Sequence, residues 1–552
     1  MIIKFISFFK KYPTEIIVLS ISLIIFLTNT LYVSYPDEFI NLLAGKAINS
    51  GKIPYREFFD HHLPFAWYLA SIFLWFSGNS YVVFRVIWAL FNFLCLFSVF
   101  HYLSKTNKEL NKYYLIFIGI FPFVTVYYWL HLYLADSLAF LFFSIILWLL
   151  IGETYKKIPS YKTLFFLSFL NFIFVFSSMS FICIAAIFYL WLLYLINKNK
   201  VDIKKSLILI SISILPYTLY TGYLFLTNSY KEFYISNIVY NTKLYISIPN
   251  YTRGRMFNPI KFALTLIFNF YQNYLVLLSH IKDFNLFLPV DLTLGLGSLL
   301  LLVFLFFESK IIFFFVFLIM SFSAPRSEVT SIGEANYQIG IFIAFGLIAA
   351  IWAFWRSEHL KISHDLLNSL KKFAVGLLII YFSFSVLFLV KNTYDKFFKR
   401  YTQVMPGIYD LGPAGAFIDD ILEKDDYFWI GPYEPHESFF VKKAKLAGKY
   451  PSLLPQFRED DYFKNGFTEQ FKDNPPKLII YKHEASIFMT PAMEFGRFFI
   501  DWMKDKYTSI ENIKGLEVVN NPSNFTLRTD LYLRNENITE LLSTLKQKGY
   551  VK

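Results

Sequence analysis

The feature that most constrains this chain is its succession of long, uninterrupted apolar blocks. A run of about 20 apolar residues wound as an α-helix matches the thickness of a bilayer's hydrocarbon core. Such runs are expected at 15–34, 81–103, 113–128, 134–151, 163–178, 181–196, 206–226, 286–307, 311–325, 337–355 and 373–391. A water-soluble protein of 552 residues must cover its surface with charge, yet only 17% of this chain is charged and 56% is hydrophobic. The blocks therefore predict a mainly α, polytopic helix bundle of about 11 spans and not one large soluble core. The first block, Glu15 to Ser34, is longer than a signal-peptide core and lacks a small-x-small cleavage pattern, so it is expected to remain as a span.

Two further apolar stretches, 64–77 and 260–282, are expected to lie at the interface. The first is short and bounded by His61-His62 and Gly78-Asn79-Ser80; the second is interrupted by Asn269, Gln272 and Asn273. Leaving both out places Lys105, Lys108 and Lys112, then Lys156, Lys157 and Lys162, then Lys198, Lys200, Lys204 and Lys205 on the side of the N-terminus. Their opposite partners, 129–133 and 177–180, carry no Lys or Arg. That is the positive-inside pattern, and it puts the N-terminus in the cytoplasm. The net charge of +12 is then a property of loops that meet anionic lipid headgroups. It does not form a basic face on a soluble domain, so nucleic acid is not an expected partner. Cys95 and Cys183 both lie in apolar blocks, where disulfides and thiolate metal sites are not expected.

An odd number of spans leaves the C-terminus outside the cytoplasm. The composition turns mixed near Phe397, which divides the chain into a membrane domain, 1–400, and a soluble extracytoplasmic domain, 401–552. Strand-like runs at 427–430 and 477–481 alternate with helix-like stretches at 414–423, 435–446 and 494–506, predicting a small α/β layer. The cluster Lys391, Lys396, Lys399 and Arg400 follows the last span on the outer side, against the charge rule. Long translocated domains cross largely regardless of charge.

The candidate chemistry gathers at span ends on one side. Asp37 and Glu38 follow the first span directly, and Asp136 opens the fourth in an apolar setting. Adjacent carboxylates at a membrane boundary are either solvated loop acids or a general base facing an outer cavity. For Asp136 the alternatives are a helix N-cap and a second active-site acid.

The segment around the acidic pair resembles glycosyltransferase family 39 of the GT-C superfamily, which includes protein O-mannosyltransferases and lipid A aminoarabinose transferases. The residues that carry the likeness are Asp37-Glu38, then Gly51-Lys52-Ile53-Pro54-Tyr55, then Asp60-His61-His62-Leu63-Pro64, then Gly78 and Arg85. Asn474-Pro475-Pro476-Lys477 resembles a strand entry common among bacterial members. The layout agrees as well: many spans, interfacial helices in loops and an extracytoplasmic C-terminal domain.

The resemblance implies a GT-C-like bundle that moves a sugar from a polyprenyl-phosphate donor to a lipid, polysaccharide or protein acceptor at the outer face of the cell membrane. It implies Asp37 as the catalytic base with Glu38 beside it, and Asp136 as the acid that positions the acceptor or a metal ion. His61 and His62 are implied near the carrier phosphate, although Leu63 replaces the first proline of the family's Pro-Pro pair. Arg326 and Tyr337 are expected on the donor phosphate, with Arg253 and Arg255 as further cations. An interfacial arginine that snorkels to headgroups is the alternative for these. Arg85 is expected to pair with an acid of the first loop. Divalent-metal dependence stays open, because no His/Cys cluster with metal-ligand spacing stands out. Competing readings from other classes are a flippase or transporter of lipid-linked glycans and a polymerase or ligase. Transporters tend to show internal repeats and mid-membrane charges, and neither is visible here.

Overall fold

The computed structural model describes residues 13–32, 34–198, 200–245, 259–282, 288–326, 332, 335–360, 365–409, 412–517, 519 and 530–552, without the side chains of 259 and 399–409. Two compact units emerge. One comprises Met1–Tyr32, Ser80–Thr221 and Asn258–Val404; the other comprises Val33–Asn79, Gly222–Phe257 and Met405–Lys552.

The first unit is a bundle of apolar helices. Ten helices among the described residues are long and apolar enough to cross a membrane, and the chain is a multi-pass membrane protein. Helix Ala135–Thr154 is buried nearly all round, as an evenly apolar helix must be. Elsewhere small residues let backbones approach. Pro289–Glu308 packs on Gly340–His359, where a Cβ built on Gly297 would lie 2.6 Å from Ala350 Cα, and one on Gly346 would meet Leu294. Polar side chains inside the bundle bond across helices: Ser22 Oγ donates to the Ile118 carbonyl at 3.1 Å, and Asn29 Nδ2 to Thr125 Oγ1 at 3.3 Å.

Each expected span carries a helix among the described residues, with two differences in length. Tyr161–Ser177 and Lys310–Ser321 are shorter apolar helices, of 17 and 12 residues. Pro259–Lys282, by contrast, is one continuous helix of spanning length despite its amides. Those amides do not break the helix because they bond sideways. Asn269 Nδ2 donates to the Pro325 carbonyl at 2.8 Å and Asn273 Nδ2 to the Arg326 carbonyl at 2.9 Å. The basic cluster after the last expected span lies within helix Asp365–Tyr409, and two of its charges have local partners. Lys391 pairs with Asp395 at 3.0 Å, and Lys396 donates to the Val126 carbonyl at 3.1 Å.

The second unit is built on a five-stranded sheet in the order β2-β1-β3-β7-β6. Its strands are β1 (Tyr427–Gly431), β2 (Lys445–Leu446), β3 (Leu478–Tyr481), β6 (Tyr507–Ser509) and β7 (Leu531–Arg534); β4 (Ser486–Ile487) and β5 (Thr490–Pro491) form a separate ribbon. β2, β1 and β3 run parallel, and β7 is antiparallel to both of its neighbours, β3 and β6. Side chains alternate across the sheet with the period of a strand. Phe428, Ile430, Leu478 and Ile480 pack under helices Pro413–Ile421 and Ile538–Gln547. Trp429, Ile479 and Tyr481 face the other way, into an aromatic core with Phe457, Phe467 and Phe499. Phe59 and Tyr240 complete that core, so segment 33–79 and the helical turn Ile235–Leu244 are integral to the unit. The stretch 435–446 departs from expectation. It is helical only over Pro435–Phe440, because Asp419 takes the backbone N–H groups of Lys442 and Lys443 at 2.8–3.0 Å and strand pairing with β1 claims 445–446.

Lys449 sits partly buried in this core's margin, where burial lowers its pKa to about 8 against a weak opposing pull from Glu232. A lysine whose pKa is lower folded than unfolded gives its full stability above about pH 10.5 and has lost it once the pH falls below the folded value. Lys449→Met is therefore expected to stabilise this unit at pH 7 by up to about 3 kcal/mol, with the gain shrinking as the pH is raised past 8. Thermal melts of both proteins at pH 7 and pH 9.5 check this; equal gains at both would show that its charge is not the cause.

Candidate active site

Helix Pro36–Asn49 starts with proline in the first turn, where the missing N–H costs nothing, and continues with Asp37 and Glu38, whose charge suits a helix N-terminus. The two acids then part ways. Glu38 is completely buried, whereas Asp37 is half-buried. Asp37 Oδ1 accepts a hydrogen bond of 2.7 Å from the hydroxyl of Tyr433 in the C-terminal sheet domain. The helix is held in place on two sides. A Cβ on Gly45 would lie 2.8 Å from the Ser71 backbone nitrogen, so helix Phe65–Ser77 packs backbone to backbone against it. Phe39 sits among the rings of His436, Phe439 and Phe440, and Lys46 Nζ donates to the carbonyls of Val441 (2.7 Å) and Phe439 (3.3 Å). Burial lowers the Lys46 pKa.

The rings of His61 and His62 meet at a tilt, with centroids 4.1 Å apart. Both Nδ1 atoms face Asp60 Oδ1, at 3.3 Å from His61 and 2.9 Å from His62. The backbone braces the pair: Asn241 Nδ2 donates to the His61 carbonyl and the Tyr55 hydroxyl to that of His62, each at 2.8 Å. Burial would raise the Asp60 pKa, but the two histidines outweigh it and hold the carboxyl far below the usual range. Burial and the neighbouring His62 lower the His61 pKa, opposed by Asp60 and Asp37. His62 is exposed, with its side chain 47% accessible, so it is the member that can meet a ligand. The three residues bring ligand atoms within 4.8 Å of one another, enough to hold a metal ion.

In the helix bundle, Asp136 lies half-buried in the first turn of Ala135–Thr154, whose N-cap is Leu134. The short turn Tyr337–Ile339, which carries Tyr337, packs against this helix. Arg85 is buried; it donates to the Tyr32 carbonyl at 2.6 Å and lies over the Tyr81 ring. Arg326 is exposed at a turn whose carbonyl is tied down by Asn273. Arg253 and Arg255 lie outside the described residues.

A functional role for the turn after β1 and the start of helix Pro435–Phe440 was not expected from the sequence. Pro432-Tyr433-Glu434-Pro435-His436-Glu437 follows the carboxyl end of a parallel strand, the usual place for functional groups in open α/β sheets. Lys482 pairs with Glu434 at 2.9 Å. Burial raises the pKa of Glu434 and of Glu437, and burial with Lys482 lowers that of His436 to about 4. Dense prolines and charges at a strand exit were the available signal.

No protein-family model matches the chain, and no curated protein matches it. Two crystal structures of ArnT from Cupriavidus metallidurans are similar in fold. The apo state is 11% identical, with 95% of this chain and 98% of that one covered at a TM-score of 0.51. The form bound to undecaprenyl phosphate is 10% identical, with 94% and 97% covered at 0.48. The apo match shows that this chain has an ArnT-like fold.

Proposed function

We propose that this chain is a GT-C membrane glycosyltransferase that moves a sugar from a polyprenyl-phosphate carrier to an acceptor outside the cytoplasm. The observation that carries the reading is the ArnT-like fold, which runs through nearly the whole chain. ArnT has been crystallised bound to undecaprenyl phosphate, and a polyprenyl-phosphate donor is proposed here on the likeness of fold.

In the proposed reaction Asp37 takes the proton from an acceptor hydroxyl or amine as that atom attacks the anomeric carbon. The carrier phosphate leaves from the opposite side with the bonding electrons, so a single displacement inverts the configuration. The phosphate departs already charged, and cationic or hydrogen-bonding groups stabilise it. Arg326, Tyr337 and the exposed His62 are assigned to that task, with Arg253 and Arg255 as further cations. Asp136 orients the acceptor, and Arg85 is assigned to shape the site. Asp60, His61 and His62 would offer ligands to a divalent ion. The acceptor is a lipid, a polysaccharide or a protein.

The test is incubation of the purified protein in lipid nanodiscs with polyprenyl-phosphate monosaccharides and candidate acceptors. Release of free polyprenyl phosphate together with a glycosylated product is the expected result. Passage of intact donor across vesicle membranes without release would replace the transferase with a flippase.

A further inference from the structure

We propose that the C-terminal domain completes the active site by supplying Tyr433 as a positioning residue for Asp37. The inference rests on the reading of Asp37 as the base, and it gives the soluble domain a part in the chemistry.

The contact joins residues 396 positions apart at 2.7 Å, so it exists only because the domain is folded against helix Pro36–Asn49. Tyr433 is held on both sides. Before it, Leu453 N–H donates to the Pro432 carbonyl at 2.7 Å and Lys482 N–H to that of Gly431 at 2.9 Å. After it, Glu434 pairs with Lys482, and Glu437 Oε2 accepts from the N–H groups of Ala414 and Gly415 at 3.2 and 3.4 Å. The helix that carries Asp37 is equally fixed: its Phe39 and Lys46 dock onto the short helix Pro435–Phe440 and the residue after it.

A carboxylate on a single helical residue can turn about two side-chain bonds. A phenol hydroxyl donating to Oδ1 fixes that rotation and so fixes where the second oxygen points. A base must lie within hydrogen-bond reach of the proton that it takes, and a misplacement of about 1 Å can cost on the order of 100-fold in rate. A neutral tyrosine donates here and does not itself take the proton, so its role is exerted through Asp37.

Tyr433→Phe removes the hydroxyl and keeps the ring. In the full-length protein, turnover measured as polyprenyl-phosphate release is expected to fall roughly 10- to 100-fold, with the KM for the lipid donor unchanged. An unchanged kcat, or a loss confined to KM, would overturn the proposal. A second measurement is independent of activity: the melting temperatures of Asp37→Ala, Tyr433→Phe and the double variant. Non-additive shifts are expected from a direct contact, and additive shifts would overturn it. If the wild-type protein releases no carrier phosphate from any donor, the transferase reading fails and Tyr433's positioning role falls with it. An active wild type with an unaffected Tyr433→Phe defeats this inference alone.

Discussion

Replacing Asp37 by asparagine is expected to cut sugar transfer by roughly 10²- to 10⁴-fold, the usual worth of a positioned general base. The substitution is nearly isosteric. An asparagine Oδ1 still accepts from the Tyr433 hydroxyl, so the contact that places the side chain survives. The helix N-terminus loses one favourable charge, a change on the order of 0.3–1 kcal/mol. The variant should therefore fold and bind donor normally while lacking a proton acceptor. Its neighbour offers no ready substitute, because Glu38 is fully buried in the same helical turn. Initial rates of carrier-phosphate release, compared with donor binding measured separately, check the expectation. Wild-type turnover by Asp37→Asn would remove Asp37 from the mechanism whatever the fold.

The bundle was legible in the sequence because the membrane imposes a local rule: enough consecutive apolar residues must wind into a helix that satisfies its own backbone. The same locality explains why 260–282 read as an interrupted stretch although it forms one continuous helix. Asn269 and Asn273 looked like interruptions, yet each finds a carbonyl in the turn at 325–326, more than 50 residues downstream. Strands β1 and β3 were readable from their buried runs. The stretch 435–446 was not, since its helix ends where distant Asp419 and β1 compete for the backbone. Asp37 was visible from its place after a span. Tyr433 was not, because a contact across 396 residues leaves no periodicity to detect. Likewise, Asp60, His61 and His62 stood out as neighbours in sequence, but the brace of His61 on Asn241 belongs to tertiary structure.

The largest expected effect on stability comes from Phe59→Ala. Phe59 lies in the segment after the first span, two residues before the histidine pair, and only 4% of it is exposed. Its ring meets Tyr240, Tyr450, Phe457 and Phe463 at centroid distances of 5.0–5.6 Å, three of them close to edge-to-face. Its backbone N–H donates to the Lys449 carbonyl at 2.9 Å, which aligns the segment with the loop beyond β2. Truncating a buried phenylalanine costs about 3–5 kcal/mol, from lost transfer energy and from the cavity left behind. The aromatic pairs lost here favour the upper part of that range. Phe59→Leu keeps most of the volume and should cost less. The void opens where three stretches of chain meet, so the damage is expected to spread to Asp60, His61 and His62 and to lower transfer as well as stability. Hydrogen exchange of residues 52–64 and 445–470, followed alongside the melting temperature, reads both effects. Unchanged protection there in Phe59→Ala would mean that this ring does not tie the segment to the sheet domain.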